Sequence, residues 1–442
     1  MHLSSIISKL SITLLGGFLL LPSVGLSIVK QTNSLSGRLD SKKSESKSSN
    51  QYQGVATDPE FYENFITDPF VRRQVRFWEA IFQKYDASTA VIHDLDEPDA
   101  MIDVINFNKY VQKNGETIQI PAAAQNAIVR RYIERYDLAV SRFKSQKERA
   151  VSYGAIEKRV LEVYQRDPIK LARLFRGDVT FRSQTGLSDT FYAAAQRAQE
   201  YLPYMEATFK KANLPIHLTR LPFVESMFNL SARSKVGASG IWQFMPGTAR
   251  EYMAVNSTVD ERNSPYKATV AASKLLRENY IQLGSWPLAL TAYNHGRAGM
   301  ARASRTLGTT ELGTIIKKYK SPSFGFASKN FYAEFIAAVT TYDLLQRSNM
   351  ISKLPITQNI SSVTLSRALS LKEISEKSKL SINQIADLNP CVNRQTVLGN
   401  PSKLLPRNYL LRLSKEGAQN LKKTKLASIQ TALVDRTTSR RQ

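Results

Sequence analysis

Leu221-Pro-Phe-Val-Glu-Ser-Met-Phe-Asn229, followed by Gly237-Ala-Ser-Gly-Ile-Trp-Gln-Phe-Met-Pro-Gly-Thr-Ala249, is the stretch around which the chain is organised. In it a lone carboxylate, Glu225, stands among Phe223, Val224, Met227 and Phe228. Apolar company disfavours the charged form of an acid, so its pKa is expected to rise. A carboxyl that keeps its proton near neutral pH is what cleavage of a glycosidic bond requires, because the leaving oxygen must be protonated. The same residue could instead be a helix acid paired with Arg220 or Arg233. An isolated Glu does not decide between the two.

Several residues could converge on Glu225. Ser234, Gly237 and Ser239 follow on a segment whose glycines permit tight turns. Gln243 offers both a donor and an acceptor, and Tyr293 and Asn294 close a helix where side chains often face a cleft. Each also has a plain structural use: Ser234 and Ser239 as turn or cap residues, Trp242 as a core anchor, Tyr293 as a packed aromatic. Gly237-Ala-Ser-Gly lacks the G-x-S-x-G elbow of serine hydrolases, and there is no P-loop or dinucleotide fingerprint.

Outward from this stretch, residues 198–346 read as compact and all-helical. Residues 189–212 form a helical run stopped by Asn213-Leu214-Pro215. Ser264 with Pro265 opens a helix that Gly284 closes. Further helices are expected at 286–293, 298–305 and 330–346. Upstream, from Asp58, apolar residues such as Phe70, Val75, Trp78 and Phe82 recur at helical spacing, with a short β-branched run at 88–95. His93, inside that run, reads as a satisfied structural residue. Downstream, 361–365, 372–378, 382–388 and 409–413 give a β-α-α-β order.

Residues 1–27 read as a secretory leader: a weakly basic start, an apolar run too short for an ordinary span, Pro22, then small residues. An uncleaved anchor is the other reading. Residues 28–57 are Ser- and Lys-rich and are expected to be a flexible linker. No later stretch is long and apolar enough to cross a bilayer, so no membrane span is expected in the mature chain. The formal charge of +24 suits a polyanionic partner: nucleic acid, an anionic membrane face or an acidic wall polymer. No nucleic-acid motif accompanies it, so no nucleic acid is expected as partner. The single cysteine, Cys391, excludes an intrachain disulfide, and the four histidines have no metal-ligand spacing. No metal or cofactor is expected.

Taken together, Phe223-Val-Glu-Ser with Asn229, Ala232-x-Ser234, Gly237-Ala-x-Gly240-Ile-Trp-Gln-Phe-Met-Pro-x-Thr248-Ala and Ala292-Tyr-Asn-x-Gly296 resemble the lytic transglycosylase domain of lysozyme-like fold, of the membrane-bound lytic murein transglycosylase D type. The resemblance covers residues 198–346. It implies that Glu225 protonates the oxygen between N-acetylmuramic acid and N-acetylglucosamine in peptidoglycan. Glu225 then acts as base on the muramyl C6 hydroxyl, giving a 1,6-anhydro end without consuming water. By the same resemblance Ser234 and Gln243 bind near the N-acetyl groups, Tyr293 and Asn294 shape the cleft, and Ser226 and Met245 are structural. No second carboxylate lies in these blocks, whereas the usual glycosidase uses two.

The chain departs from the family where a Glu-Thr-Arg-Asn-Tyr-Val-like block is usual. Ala327-Ser-Lys-Asn-Phe-Tyr332 stands there, so the acid is missing, Phe331 takes the tyrosine place and Tyr332 is one step on. Tyr332 is the expected substitute, although one helical step rotates it by about a quarter turn. The segment 355–414 is similar to a LysM glycan-binding module without its Gly-Asp-Thr-Leu turn; it either binds glycan or only docks.

The expected architecture is therefore mainly α. A mostly helical N-terminal domain (58–197) precedes a lysozyme-like helical catalytic domain (198–350), followed by a LysM-like module (355–414) and a frayed basic tail (415–442). The expected partners are peptidoglycan glycan strands, with other cell-wall proteins possible, in the periplasm. The competing readings are a muramidase of the same fold that uses water, and a non-catalytic peptidoglycan-binding protein.

Overall fold

In a computed structural model of the chain, the described residues are 65, 68–110, 120–145, 152–351, 360–393 and 398–430. The expected leader, linker and last residues of the tail lie outside them. A helical core runs from α1 (Pro69–Gln83) to α12 (Phe326–Arg347). Between them come α5 (Ser188–Lys211), the short α6 (Leu221–Ser226), α7 (Pro246–Ala249), α8 (Pro265–Leu283), α9 (Trp286–His295), α10 (Arg297–Leu307) and α11 (Leu312–Lys318). One apolar cluster joins Phe77, Trp78, Phe191, Phe223, Trp242 and Phe335. Local signals set several ends. Ser264 accepts from the Lys267 N–H (3.3 Å) at the start of α8, and Gly284 takes φ 68° at its end.

Two boundaries differ from expectation. The described residues of 58–197 are divided between two hydrophobic cores. Helix α1 packs along α12, with Trp78 Nε1 donating to Asn330 Oδ1 (3.2 Å) and Gln83 Nε2 to Thr341 Oγ1 (2.9 Å). Phe82 stacks on Phe191 of α5. Helical spacing shows that a face is apolar but not which helix it meets.

Between α1 and α5 lies a smaller α/β unit with its own core. Its strands β1 (Thr89–Asp94), β2 (Met101–Asn106) and β3 (Phe181–Thr185) form an antiparallel sheet in the order β2-β1-β3. Helices α2 (Ala122–Ser145), α3 (Ala155–Tyr164) and α4 (Pro168–Arg176) pack with it. Asp94, fully buried, accepts from Tyr164 Oη (2.8 Å) and Arg173 Nη1 (3.1 Å). His93 is buried beside Phe77 (ring centroids 4.5 Å apart), and burial holds its pKa down at about 3. Its Nδ1 meets the Asp94 carbonyl (2.8 Å) while Nε2 has no hydrogen-bond partner among the described residues.

The second difference is at the C-terminal end. Strand β4 (Ile360–Leu365) is central in a β7-β4-β8 sheet, and β5 (Leu369–Ser370) pairs with β6 (Leu404–Leu405). Helices α13 (Leu371–Ser378) and α14 (Ile382–Leu388) supply the expected middle, and β7 is Leu410–Ser414. The expected frayed tail is not frayed at its start. Lys415–Lys423 forms α15, and Ala427–Gln430 forms β8, paired with β4. Leu421 and Ala418 bury one face of α15 in the module, which a lysine-rich sequence conceals.

Candidate active site

Glu225 sits on α6, a helix of six residues that enters from a 3-10 turn at Ile216–Arg220. Leu221, Pro222 and Phe223 are buried, and Phe223 stacks on Phe191 (4.7 Å) and meets Phe228 edge-on (4.6 Å). Met227 and Phe228 then adopt φ 50° and 53°. Left-handed backbone costs a non-glycine residue about 1–2 kcal/mol, so the surroundings must enforce it. They do so through Arg197 Nη2, which donates to the Met227 carbonyl (2.8 Å), and through the Phe228 N–H on the Pro222 carbonyl (3.2 Å). Ser226 Oγ donates to the Ile241 carbonyl (2.9 Å), tying the acid's helix to the following loop. The backbone on the C-terminal side of Glu225 is therefore pinned at three points.

The loop is a small antiparallel hook, with isolated bridges Arg233↔Ser239 and Ser239↔Phe244. Ser234 makes the turn: its Oγ accepts from the Ala238 N–H (2.8 Å). A hydroxyl that accepts one bond still has a proton to donate. Gln243, at φ 46°, donates its amide to the Ala232 (3.2 Å) and Gly240 (2.8 Å) carbonyls. What remains of that amide for a ligand is its carbonyl oxygen. Gly240 is irreplaceable on two counts: φ is 77°, and a Cβ there would stand 1.9 Å from the Arg262 carbonyl oxygen. Trp242, fully buried, donates to Thr269 Oγ1 (3.0 Å) and stacks on Phe209, which is the core-anchor role. Met245 is exposed rather than packed.

Tyr293 is brought to the acid. Its hydroxyl donates to the Trp242 carbonyl (2.8 Å), its ring meets Phe244, and burial, with the Glu225 charge second to it, keeps its pKa well above the phenol range. Tyr293→Phe should cost about 1 kcal/mol through the lost hydrogen bond, read as a lower thermal midpoint, while the ring keeps its packing. Asn294 Oδ1 accepts from Ser328 Oγ (2.8 Å), fastening α9 to the start of α12.

Tyr332 does not join this group, which corrects the expectation for it. The side chain is almost fully buried, and its hydroxyl donates to the Phe65 carbonyl. The quarter turn carries it into the core, where it braces the segment before α1.

The electrostatics favour a protonated acid. Glu225 keeps part of its surface open, yet burial, and secondarily the nearby Glu334 carboxyl, pushes its pKa up to about 8. The alternative pairing with arginine is not found among the described residues. Arg220 pairs with Glu206 and lies over the Tyr342 ring, and Arg233 is exposed.

Two supports escaped the sequence reading. Arg262 holds Asp260 through Nε (2.8 Å) and Nη2 (2.7 Å), and its Nη1 donates to the Gly237 (2.7 Å) and Phe244 (3.0 Å) carbonyls at the two limbs of the hook. Glu334 is the second. It lies seven residues beyond Ala327, where the missing acid was sought, and two helical turns return to nearly the same face.

A half-open acid on a clamped helix, faced by a hooked loop and a tyrosine inside a helical bundle, defines a lysozyme-like domain of the transglycosylase type. The chain belongs to the transglycosylase SLT domain family, whose match covers residues 203–315. It is similar to the membrane-bound lytic murein transglycosylase D of Escherichia coli (strain K12), 27% identical over 246 residues, which are 54% of this chain and 52% of the relative. The chain thus matches about half the length of that relative. It is also similar to a putative tributyltin chloride resistance protein of Alteromonas sp. (strain M-1), 34% identical over 159 residues, 30% of this chain and 77% of the relative.

Proposed function

We propose that the chain is a peptidoglycan lytic transglycosylase that cleaves the β-1,4 bond between N-acetylmuramic acid and N-acetylglucosamine and leaves 1,6-anhydro ends. The observation that carries the reading is Glu225: a partly open carboxyl, protonated up to about pH 8, with no ion-pair partner among the described residues. Glu225 gives its proton to the leaving oxygen as the glycosidic bond breaks. The carboxylate so formed takes the proton of the muramyl C6 hydroxyl, whose oxygen closes onto the anomeric carbon. Protons balance, and no water enters. Ser234 and the Gln243 carbonyl oxygen are suited to amide and hydroxyl groups of the sugars, and Tyr293 and Asn294 bound the cleft beside the acid. The C-terminal module is read as a second glycan contact. This polymer lies in the cell envelope, which is where the reading puts the protein. Among the described residues no helix is long and apolar enough to cross a membrane.

A specific observation brings the water-using muramidase back for comparison, namely Glu334 near Glu225. A two-carboxylate glycosidase needs one of the pair ionised as base or nucleophile. Burial holds Glu334 protonated up to about 8 as well, so neither serves as a resting carboxylate at neutral pH. Product mass decides. Digestion of sacculi should give ends one water lighter than reducing ends, and reducing ends alone would overturn the assignment.

The acid role also fixes a pH dependence. Turnover is expected to decline as pH rises through about 8, where Glu225 loses its proton, whereas an ordinary glutamic acid, near 4.5, would already be ionised at neutral pH. A rate profile on sacculi between pH 5 and 9.5 reads this directly; a decline centred near 5 would contradict it.

A further inference from the structure

The segment that joins α11 to α12, with the first turn of α12, encloses a cavity of about 380 Å3 that the mechanism above does not use. Pockets that hold small ligands run from about 300 to 1,000 Å3. Tyr319, Lys320, Ser321, Pro322, Phe324 and Lys329 line this one. Phe324 is buried, its ring 5.7 Å from that of Tyr319 and 4.9 Å from that of His295. His295 ends α9 two residues after Tyr293, and Ser328, the neighbour of Lys329, donates to Asn294 (2.8 Å). The cavity therefore adjoins the two residues that bound the cleft.

The charge of this wall has one sign. From Leu312 to Ala333 the chain holds Lys317, Lys318, Lys320 and Lys329 and no acid, and Ala327 stands where the resembling family carries one. Lys317 is engaged over the Phe70 ring (4.4 Å). Lys329 pairs with Asp96 (3.3 Å), a half-exposed carboxylate that Arg173 shares (3.5 Å). An ammonium has three donors, so that pair does not exhaust Lys329. Lys320 is exposed and makes no ion pair among the described residues. Two ammonium groups beside aromatic and proline surface suit an organic anion with a short apolar body; a neutral sugar would leave both charges unanswered. The proposed substrate carries such a group, because N-acetylmuramic acid bears on its lactyl ether a short peptide with free carboxylates.

We propose that this pocket receives the peptide of the muramyl residue, with Lys320 and Lys329 holding its carboxylates, so that strands bearing peptides are favoured over bare glycan. The proposal rests on the reading of the chain as a peptidoglycan transglycosylase. Such contacts are made equally before and during bond breaking, so they act on KM rather than kcat. Being partly open to solvent, they weaken as salt is added.

The test compares two substrates: uncross-linked glycan strands with their peptides, and the same strands after an amidase has stripped them. Release of anhydro ends by the full-length chain gives kcat/KM on each, and the ratio of the two is the readout. The parent ratio should favour peptide-bearing strands by about three- to tenfold, the scale of two solvent-exposed ion pairs. In Lys320→Gln with Lys329→Gln it should fall toward one, through KM on the peptide-bearing strands. A structural role would lower both rates together and keep the ratio, which overturns the proposal. A parent ratio near one overturns it as well. Lys210→Gln with Lys211→Gln, two exposed lysines on α5, removes the same charge elsewhere, and an equal fall there would show general attraction to a basic surface and overturn the pocket. Should the first double variant melt below the parent, Lys320→Gln alone carries the test, and a ratio it leaves unmoved is decisive against the proposal. Anhydro ends from neither substrate would sink the transglycosylase reading itself; anhydro ends at one rate from both would sink only the peptide pocket.

Discussion

The Glu225→Gln protein should release anhydro products from sacculi at least about a thousandfold more slowly than the parent chain, because an amide can neither give nor retake the proton. Binding to sacculi should persist, since the hook at 232–244 and the C-terminal module are untouched. Undiminished turnover would remove Glu225 from the chemistry, and binding lost with activity would point to collapse of the cleft. The same substitution should make the protein more stable near neutral pH. The folded state holds a proton on Glu225 up to about 8, against about 4.5 for the ordinary residue, so between these values the native chain binds more protons than the unfolded one. Stability therefore falls as pH rises through that window, and glutamine abolishes the loss. The gain should be about 1–3 kcal/mol at pH 7, the lower part of the range reflecting the partly open carboxyl. It should shrink toward zero as the pH is lowered to about 4.5. Melts of both proteins across this range measure it.

The other large effect is expected at Arg262→Ala. Arg262 and Asp260 are both nearly buried, and the guanidinium satisfies one carboxylate and two loop carbonyls at once. Removing it leaves the buried Asp260 charge with only the backbone N–H of position 262, takes the donor from the Gly237 carbonyl and leaves the Phe244 carbonyl to the Ser239 N–H alone, a loss of about 3–5 kcal/mol. A drop in thermal midpoint should be accompanied by lost turnover, because Gln243 and Ser234 ride on the same hook. Arg262→Lys should fall between, since an ammonium cannot serve the carboxylate and both limbs in the same fork. A melt unchanged in Arg262→Ala would show that the hook is held by other means.

What the chain declares in sequence is what local chemistry sets. The limits of α8 follow from Ser264, Pro265 and Gly284, and α14 begins at a Ser381–Gln384 capping box. Glu225 is legible because its apolar neighbours are adjacent in the chain. The missed features are non-local. Phe181–Thr185 has a polar middle and becomes a strand because β1 offers it an edge. Tyr332 and Glu334 are two residues apart, and only the packing of α12 decides that the tyrosine enters the core while the acid reaches an opening. Arg262 has no signal in its own neighbourhood beyond Asp260; its other partners are 25 and 18 residues away.

The contact at Asp260 also bears on how the chain can be divided. The Asp260 N–H donates to the Cys391 carbonyl (2.7 Å), the Asn393 N–H to the Thr258 carbonyl (2.9 Å), and Val259 is buried in the core of the C-terminal module. The side chain of Asp260 is the one that holds Arg262 and, through it, the hook beside Glu225. A cut after Met350, where the helical bundle ends in sequence, would expose Val259 and strand a backbone donor on the very segment that braces the cleft. The two halves are thus separate in sequence but share a seam, and an excised bundle would begin life with a loosened catalytic loop.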